Sequence, residues 1–158
     1  MGKTAIYPGS FDPFTNGHLD IVRKAAEIFD KVYVVIGVNA EKRRSFPAAP
    51  MADAIAETLR LQGIHNCEVV IWDGLVAEFA RRMGSTYMIR GLRNNMDYNY
   101  EENVASVNKL INPELEYVYF RSNNVAVSSS MVKELHSYGK DVSQYVPAAV
   151  MPLLQTER

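Results

Sequence analysis

Two hydrophobic periodicities alternate along the chain, and this alternation limits the possible folds more than any other feature of the sequence. Short apolar runs, typical of buried strands, are followed by stretches with apolar residues three or four positions apart, typical of amphipathic helices. The predicted strands are Thr4–Tyr7, Val32–Val38, Val69–Trp72, Thr86–Ile89 and Tyr117–Phe120. The predicted helices span Leu19–Phe29, Met51–Leu61, Leu75–Met83, Val104–Ile111 and Met131–Leu135, and a last short helix opens at Pro147 and is interrupted by Pro152. This α/β order predicts a parallel sheet with helices on both faces.

Length, charge and cysteine content narrow the classes of function. A chain of 158 residues is typical of one domain, and we predict a single domain over residues 1–158. Lys and Arg total 17 against 18 Asp and Glu, so the formal net charge of -1 argues against bulk nucleic-acid binding but not against a local anion pocket. Cys67 is the only cysteine, so no internal disulfide can form and no zinc site is expected. Without a long apolar run or a signal-peptide pattern, we expect a soluble, cytoplasmic protein that does not bind membranes.

The residues that follow the first predicted strand have phosphate-binding chemistry. In open parallel sheets, ligands bind beyond the carboxyl ends of the strands, near the point where strand order reverses. Here Gly9 permits a tight turn, Ser10 offers a hydroxyl and an N–H, and His18 lies near a helix start, which favours anions. Each residue alone would fit an ordinary strand-to-helix turn. Together, in this context, they favour a phosphate-binding loop.

A basic cluster follows the second predicted strand. Lys42 lies beside Arg43 and Arg44 within Asn39–Pro50, a stretch with two prolines that we expect to form an exposed loop. A solvated basic loop and a phosphate-binding loop are equally compatible with this stretch taken alone.

The fourth and fifth predicted strands also end in anion-binding residues. Arg90 and Arg93 flank Gly91, and two guanidinium groups at this spacing can grip phosphate oxygens. The fifth strand leads into Asn123–Ser130, whose serines can hold a triphosphate or simply cap a helix. Four strand ends with related chemistry predict one shared phosphate site.

Several familiar catalytic and nucleotide-binding motifs are missing from the sequence. It contains no Gly-x-x-x-x-Gly-Lys-Ser/Thr loop, no Gly-x-Gly-x-x-Gly and no Cys/His pattern of a zinc site, and no Ser-His-Asp arrangement is evident. Phosphate binding without a covalent nucleophile predicts direct displacement at phosphorus, driven by positioning and charge stabilisation.

Three motifs resemble one enzyme family. The stretch Tyr7–Pro13, followed by Thr15-Asn16-Gly17-His18, resembles the opening of the nucleotidylyltransferase superfamily, whose hallmark is a His/Thr-x-Gly-His tetrad. Ile89–Arg93 and Val127–Leu135 narrow the resemblance to bacterial phosphopantetheine adenylyltransferases, over about Ala5–Val150. It implies a Rossmann-like domain with strand order 3-2-1-4-5 and adenylyl transfer from ATP to 4'-phosphopantetheine, giving dephospho-coenzyme A and pyrophosphate. It also implies Mg²⁺ as cofactor and a homohexamer built from two trimers.

The resemblance also implies roles for individual residues. Ser10, His18 and Lys42 match catalytic positions, His18 as the group that stabilises the transition state. The positions that match acceptor-binding residues are Ser10, Lys42, Val76 and Arg90. The positions that match ATP-binding residues are Ser10, Phe11, His18, Gly91, Leu92, Arg93, Glu101, Asn124, Val125, Ala126, Val127, Ser128, Ser129 and Ser130. No carboxylate is assigned to the metal, which substrate phosphates and water can hold.

Two alternatives stay open at this point. One is another nucleotidylyltransferase acting on a different phosphorylated acceptor, such as nicotinamide mononucleotide, which would share Ser10 and His18 but not the full Arg90–Arg93 pattern. The other is a non-catalytic ATP-binding or flavodoxin-like module, which has no need of a tetrad histidine together with basic residues at separate strand ends.

Overall fold

A five-stranded parallel sheet forms the centre of the structure. The computed structural model describes residues 2–39, 43–85, 87–92, 105–123 and 127–156. The strands are β1 (Thr4–Gly9), β2 (Lys31–Val38), β3 (Cys67–Asp73), β4 (Tyr87–Leu92) and β5 (Glu116–Arg121). Neighbouring strands pair in parallel, in the order β3-β2-β1-β4-β5. The predicted sheet and its strand order are confirmed.

Helices follow the strands as predicted. They are α1 (Asn16–Ile28), α2 (Ala48–Leu61), α3 (Val76–Arg82), α4 (helical over 105–111 within the described residues), α5 (Ser129–Ser137) and α6 (Met151–Thr156). Two of them begin at residues whose side chains accept a backbone N–H: Thr15 caps α1 and Ser128 caps α5. None of the helices in the described ranges is long and apolar enough to cross a membrane.

Helices cover both faces of the sheet. Successive residues of a strand point to opposite faces, so each buried strand presents apolar side chains on both. On one face, Ala5 of β1 and Val34 of β2 belong to a buried cluster with Val22 of α1 and Ile55 of α2. On the other face, the neighbouring strand residues Ile6 and Val35 are buried in a cluster with Phe79 of α3. Alternation along single strands thus supplies two cores, and the prediction of a two-sided α/β sheet is confirmed.

Two predicted strand ends fall too early. The first and fourth strands continue past Tyr7 and Ile89, since Pro8 and Gly9 still pair with β2 and Arg90–Leu92 still pair with β5. Apolar periodicity stops at those residues, but the parallel ladder does not. Arg90 is therefore part of β4 rather than of a following loop.

The predicted exposed loop Asn39–Pro50 is wrong in its second half. Phe46 is buried, and α2 already begins at Ala48. Prolines indicated a loop in the sequence, but Pro50 lies in the first helical turn, where its missing N–H removes no helical hydrogen bond.

The predicted helices at Leu75–Met83 and Pro147 also need correction. Leu75 and Met83, the two ends of the predicted helix, lie just outside α3 and are 52% and 36% exposed. The last helix opens at Met151 instead of Pro147, and Pro152 lies in its first turn, where proline is tolerated, so it does not interrupt the helix.

Candidate active site

The site lies where the central strands separate. Among the described residues, β1 and β4 pair at Ala5–Tyr87 and Ile6–Met88 and not beyond, whereas β1 pairs with β2 over its full length and β4 with β5 likewise. Beyond Ile6 and Met88 the two strands therefore leave a gap at the carboxyl edge. This is also where strand order reverses, the usual ligand site of open α/β sheets.

A first cavity of about 270 Å³ occupies one side of this gap. Its walls come from the end of β1, the start of α1, the end of β4 and the segment before α5. Of the residues predicted to bind ATP, those lining it are Ser10, Phe11, His18, Gly91, Leu92, Val127, Ser128 and Ser129. The fold thus gathers residues from opposite ends of the sequence at one cavity.

The orientation of His18 is set by the cap of α1. Its Nδ1 accepts a hydrogen bond from the Thr15 backbone N–H at 2.9 Å, while the Thr15 hydroxyl accepts from the His18 backbone N–H at 3.3 Å. This is a capping box in which histidine takes the place usually held by Glu or Gln. Because Nδ1 is an acceptor in this bond, we assign the ring proton to Nε2. The half-buried ring lines the first cavity, so it can offer Nε2–H as a donor.

An aromatic cluster supports the ring and shapes the turn. The Phe11 ring contacts that of His18 at 4.9 Å between centroids, nearly perpendicular, and the Phe14 ring lies 5.5 Å from it. Phe11 is buried and has a φ of 46°, in the left-handed region that non-glycine residues rarely adopt. A Cβ on Gly9 would lie 2.9 Å from the Phe11 ring, so only glycine fits beneath it.

Arg90 lies between the first cavity and a second one. It donates from one Nη to the Pro8 carbonyl oxygen at 2.7 Å, across the gap between β4 and β1. The second cavity, of about 350 Å³, shares Pro8, Gly9, Ser10 and Arg90 with the first. Val76, a predicted acceptor-binding residue, lines the second cavity. Two ligands placed in the two cavities would therefore meet at Ser10 and Arg90.

The serines at the start of α5, Ser128–Ser130, differ in their contacts. Ser128 Oγ accepts from the Met131 backbone N–H at 3.1 Å, as a helix cap does, and Ser129 Oγ donates to the Pro13 carbonyl at 2.7 Å. Ser128 keeps its hydroxyl proton for another acceptor, whereas Ser129 has already donated its own. Ser130 is exposed and is not among the residues lining the first cavity.

Six of the predicted site residues lie outside the described residues. They are Lys42, Arg93, Glu101, Asn124, Val125 and Ala126. Their assignments remain predictions from the sequence.

Sequence reasoning missed two buried carboxylates that hold the edges of the site. Asp20 of α1 is only 6% exposed and accepts from the Ser122 hydroxyl at 3.2 Å and the Asn123 N–H at 2.6 Å, at the end of β5. Asp12, also 6% exposed, accepts from the Ser45 and Phe46 N–H groups at 2.8 Å each. Asp20 follows Leu19 by one position, which turns it about 100° away from the apolar stripe through Leu19, Val22 and Ala26, so the pattern of the predicted helix did not mark it as buried.

Metal-binding side chains are not clustered in the described parts of the chain. Within residues 2–39, 43–85, 87–92, 105–123 and 127–156, no group of three or more His, Cys, Asp or Glu could hold a metal ion.

Comparison with known proteins identifies the family of this chain. Residues 6–135 match the cytidylyltransferase-like family, which shows that the chain belongs to it. Among solved structures, the nicotinic acid mononucleotide adenylyltransferase of Plasmodium falciparum superposes with a TM-score of 0.71 at 13% identity, covering 99% of this chain and 96% of that one. A bifunctional NMN adenylyltransferase/ADP ribose pyrophosphatase from Francisella tularensis also gives 0.71 at 14% identity, covering 98% and 53%. At such identities these two structures show the shared fold alone.

Within that family, the chain belongs to the phosphopantetheine adenylyltransferases. It is 44% identical over 149 residues to the phosphopantetheine adenylyltransferase of Cytophaga hutchinsonii, which covers 93% of this chain and 98% of the relative. It is 40% identical over 155 residues to the one from Shouchella clausii, with 97% and 96% covered. The resemblance found in the sequence motifs is thereby confirmed.

Proposed function

We propose that this protein transfers the adenylyl group of ATP to 4'-phosphopantetheine, forming dephospho-coenzyme A and releasing pyrophosphate. The observation that carries the proposal is the pair of adjoining cavities that share Ser10 and Arg90 at the strand-order reversal. One cavity is large enough to take part of a nucleotide, and the other can take an acceptor. The names of the relatives at 44% and 40% identity support this choice of acceptor.

The chemical step is one in-line displacement. An oxygen of the acceptor phosphate attacks the α-phosphorus of ATP, and the bond from that phosphorus to the bridging oxygen breaks as pyrophosphate leaves. The attacking group is already an anion, so no general base is required. The enzyme has to hold two negatively charged reactants in line and stabilise the charge that develops at the α-phosphate.

The catalytic roles proposed for the chain follow from that requirement. His18 donates Nε2–H to the α-phosphate in the transition state, with its ring held by the hydrogen bond from Thr15. Ser10, shared by both cavities, contacts both reactants. Lys42, whose role rests on the sequence, steers the attacking phosphate oxygen. A donor of the His18 kind, aimed at developing charge, contributes about 10²–10³ in rate in other enzymes.

The binding roles divide between the two cavities. We propose that Arg90 and Val76, which line the second cavity, bind the acceptor. Arg90 binds the phosphate group of the acceptor. The apolar Leu75 and Met88, together with Asn108 and Tyr117, give that cavity mixed walls that suit an acceptor with both aliphatic and amide parts. ATP is proposed to bind through Phe11, Gly91, Leu92, Arg93, Glu101 and Asn124–Ser130.

Magnesium is proposed to arrive with ATP, bound to the triphosphate. Mg²⁺ commonly binds through substrate phosphates and water, with few protein ligands. When bound, it neutralises charge on the leaving pyrophosphate. We also propose that the protein acts in the cytoplasm as a homohexamer of two trimers, a state that sedimentation of the purified protein would test.

An acceptor panel tests the proposed reaction. Purified protein with ATP and Mg²⁺ is offered 4'-phosphopantetheine, nicotinamide mononucleotide, nicotinic acid mononucleotide or no acceptor, and pyrophosphate release is measured. Of these acceptors, we expect only 4'-phosphopantetheine to give pyrophosphate release, with dephospho-coenzyme A identified by mass. His18→Ala should strongly reduce the rate of this release. Faster release with either mononucleotide would instead support the other nucleotidylyltransferase class. ATP binding without release on any acceptor would indicate a binding module.

A further inference from the structure

Arg44 makes an unusual set of contacts with the turn that carries Ser10. Its side chain is 16% exposed, and its guanidinium donates to the Ser10 carbonyl at 2.6 Å and to the Phe11 carbonyl at 3.3 Å. Its Nε donates to the carbonyl of Phe46 at 2.8 Å, within its own segment. One side chain thus ties two successive carbonyls of the β1–α1 turn to the segment that precedes α2.

Asp12 fixes the same junction from the other side. Its carboxylate accepts the N–H groups of Ser45 and Phe46, which belong to two successive peptides. Two cations approach it, Arg44 at 3.7 Å and Lys133 of α5 at 3.8 Å. A buried carboxylate with two N–H donors and two nearby cations is well compensated, so its burial leaves no unpaired charge at the junction.

The peptide planes held by Arg44 belong to a backbone in an unfavourable conformation. Phe11 has a φ of 46°, and such a residue persists only where surrounding contacts hold it. In a trans peptide, the C=O and the N–H lie on opposite edges of one plane. With the Ser10 carbonyl turned to Arg44, the Phe11 N–H of the same peptide points away from the guanidinium. Ser10 and Phe11 are also residues that line the first cavity.

We propose that Arg44 is a positioning residue: it holds the Ser10–Phe11 peptide so that the Ser10 hydroxyl and the Phe11 N–H are presented to the reacting phosphates. The proposal rests on the adenylyl-transfer function above. Arg44 does not touch either substrate in this role. It acts through Ser10, in a reaction where small displacements of the aligned groups are costly.

The test is a double-mutant cycle with a neighbouring arginine as control. Arg44→Ala should lower kcat about 10-fold to 100-fold with little change in KM for 4'-phosphopantetheine, as expected for lost alignment. In a Ser10→Ala background, the same substitution should lower kcat by a smaller factor, since the hydroxyl that it presents is gone and only the Phe11 N–H is left to position. Arg43→Ala removes an equal charge from an exposed adjacent position and should leave kcat within about twofold of wild type.

Arg44→Lys keeps the positive charge beside Asp12 but replaces the planar guanidinium, whose two Nη atoms each reach one carbonyl, with a single nitrogen, so we expect a folded variant with an intermediate kcat. This variant decides the question if Arg44→Ala does not fold. A wild-type kcat in folded Arg44→Lys or Arg44→Ala, an equal loss in the Ser10→Ala background, or an equal loss in Arg43→Ala would each overturn the proposal. Absence of dephospho-coenzyme A with wild-type protein would instead overturn the proposed reaction.

Discussion

Replacing His18 should separate its role in the capping box from its proposed role in the reaction. In His18→Ala, the N–H of Thr15, a residue with no exposed surface, loses its acceptor, which costs about 1–3 kcal/mol. The ring contacts with Phe11 and Phe14 add about 0.5–1.5 kcal/mol each. We therefore expect a loss of roughly 2–4 kcal/mol of unfolding free energy, allowing for the solvent that reaches a half-buried ring.

His18→Asn is the matched variant. The Asn side-chain oxygen can lie near the place of Nδ1 and accept from Thr15, so part of the stability should return. Its amide is too short to replace Nε2–H, so the donor toward the α-phosphate stays lost. Both variants should therefore lower kcat by ~100-fold or more, about 2.7 kcal/mol, with a smaller change in KM for ATP.

Two measurements on the same preparations give the answer. Thermal unfolding should rank the proteins as wild type, His18→Asn and then His18→Ala, while pyrophosphate release at saturating substrates should show both variants equally impaired. A near-normal kcat in His18→Asn, with only ATP binding weakened, would refute the transition-state role. A kcat that followed stability across the two variants would show that the ring matters mainly as a cap.

Three further predictions concern other residues. Arg90→Ala should raise KM for 4'-phosphopantetheine by about tenfold or more with a smaller effect on kcat, because the charge-assisted bonds of Arg90 form in the ground state too. The control is Arg60→Ala, which removes an exposed arginine and should leave this KM unchanged. A loss confined to kcat in Arg90→Ala would contradict the prediction. Lys42→Ala should change both kcat and KM for 4'-phosphopantetheine, and an effect on ATP binding alone would exclude the steering role proposed for Lys42. Burial raises the pKa of the Cys67 thiol to about 11. Iodoacetamide should thus modify the folded protein slowly at pH 9. The free energy of unfolding should fall from about pH 8.5 toward pH 11, because in this range only the thiol of the unfolded chain ionises. The same fall in Cys67→Ala would show that the thiol is not its cause.

The sequence determined the class of the fold because local periodicity is visible without any tertiary contact. Runs such as Val32–Val38 and stripes such as that of α1 each identify one element, and their alternation leaves few topologies. Element ends were less visible. Arg90 stays in β4 through pairing with β5, a long-range interaction that leaves no apolar pattern.

The candidate phosphate-binding residues were also visible in the sequence, since glycine, histidine, arginine and serine recur at four predicted strand ends. What the tertiary structure alone decided is how these residues are held. The end of the pairing between β1 and β4 at Ile6 and Met88 opens the gap, and Thr15 sets the orientation of the His18 ring.

Asp12 and Arg44 show the limit of sequence reasoning most clearly. In the chain they are 32 positions apart and look like a turn aspartate and a solvated loop arginine. In the fold, Asp12 accepts two backbone N–H groups and Arg44 donates to two backbone carbonyls of the opposite segment. The sequence around such side chains contains no pattern that reveals their contacts, because their partners are backbone groups of a distant segment. Their function is decided when the chain brings those segments together.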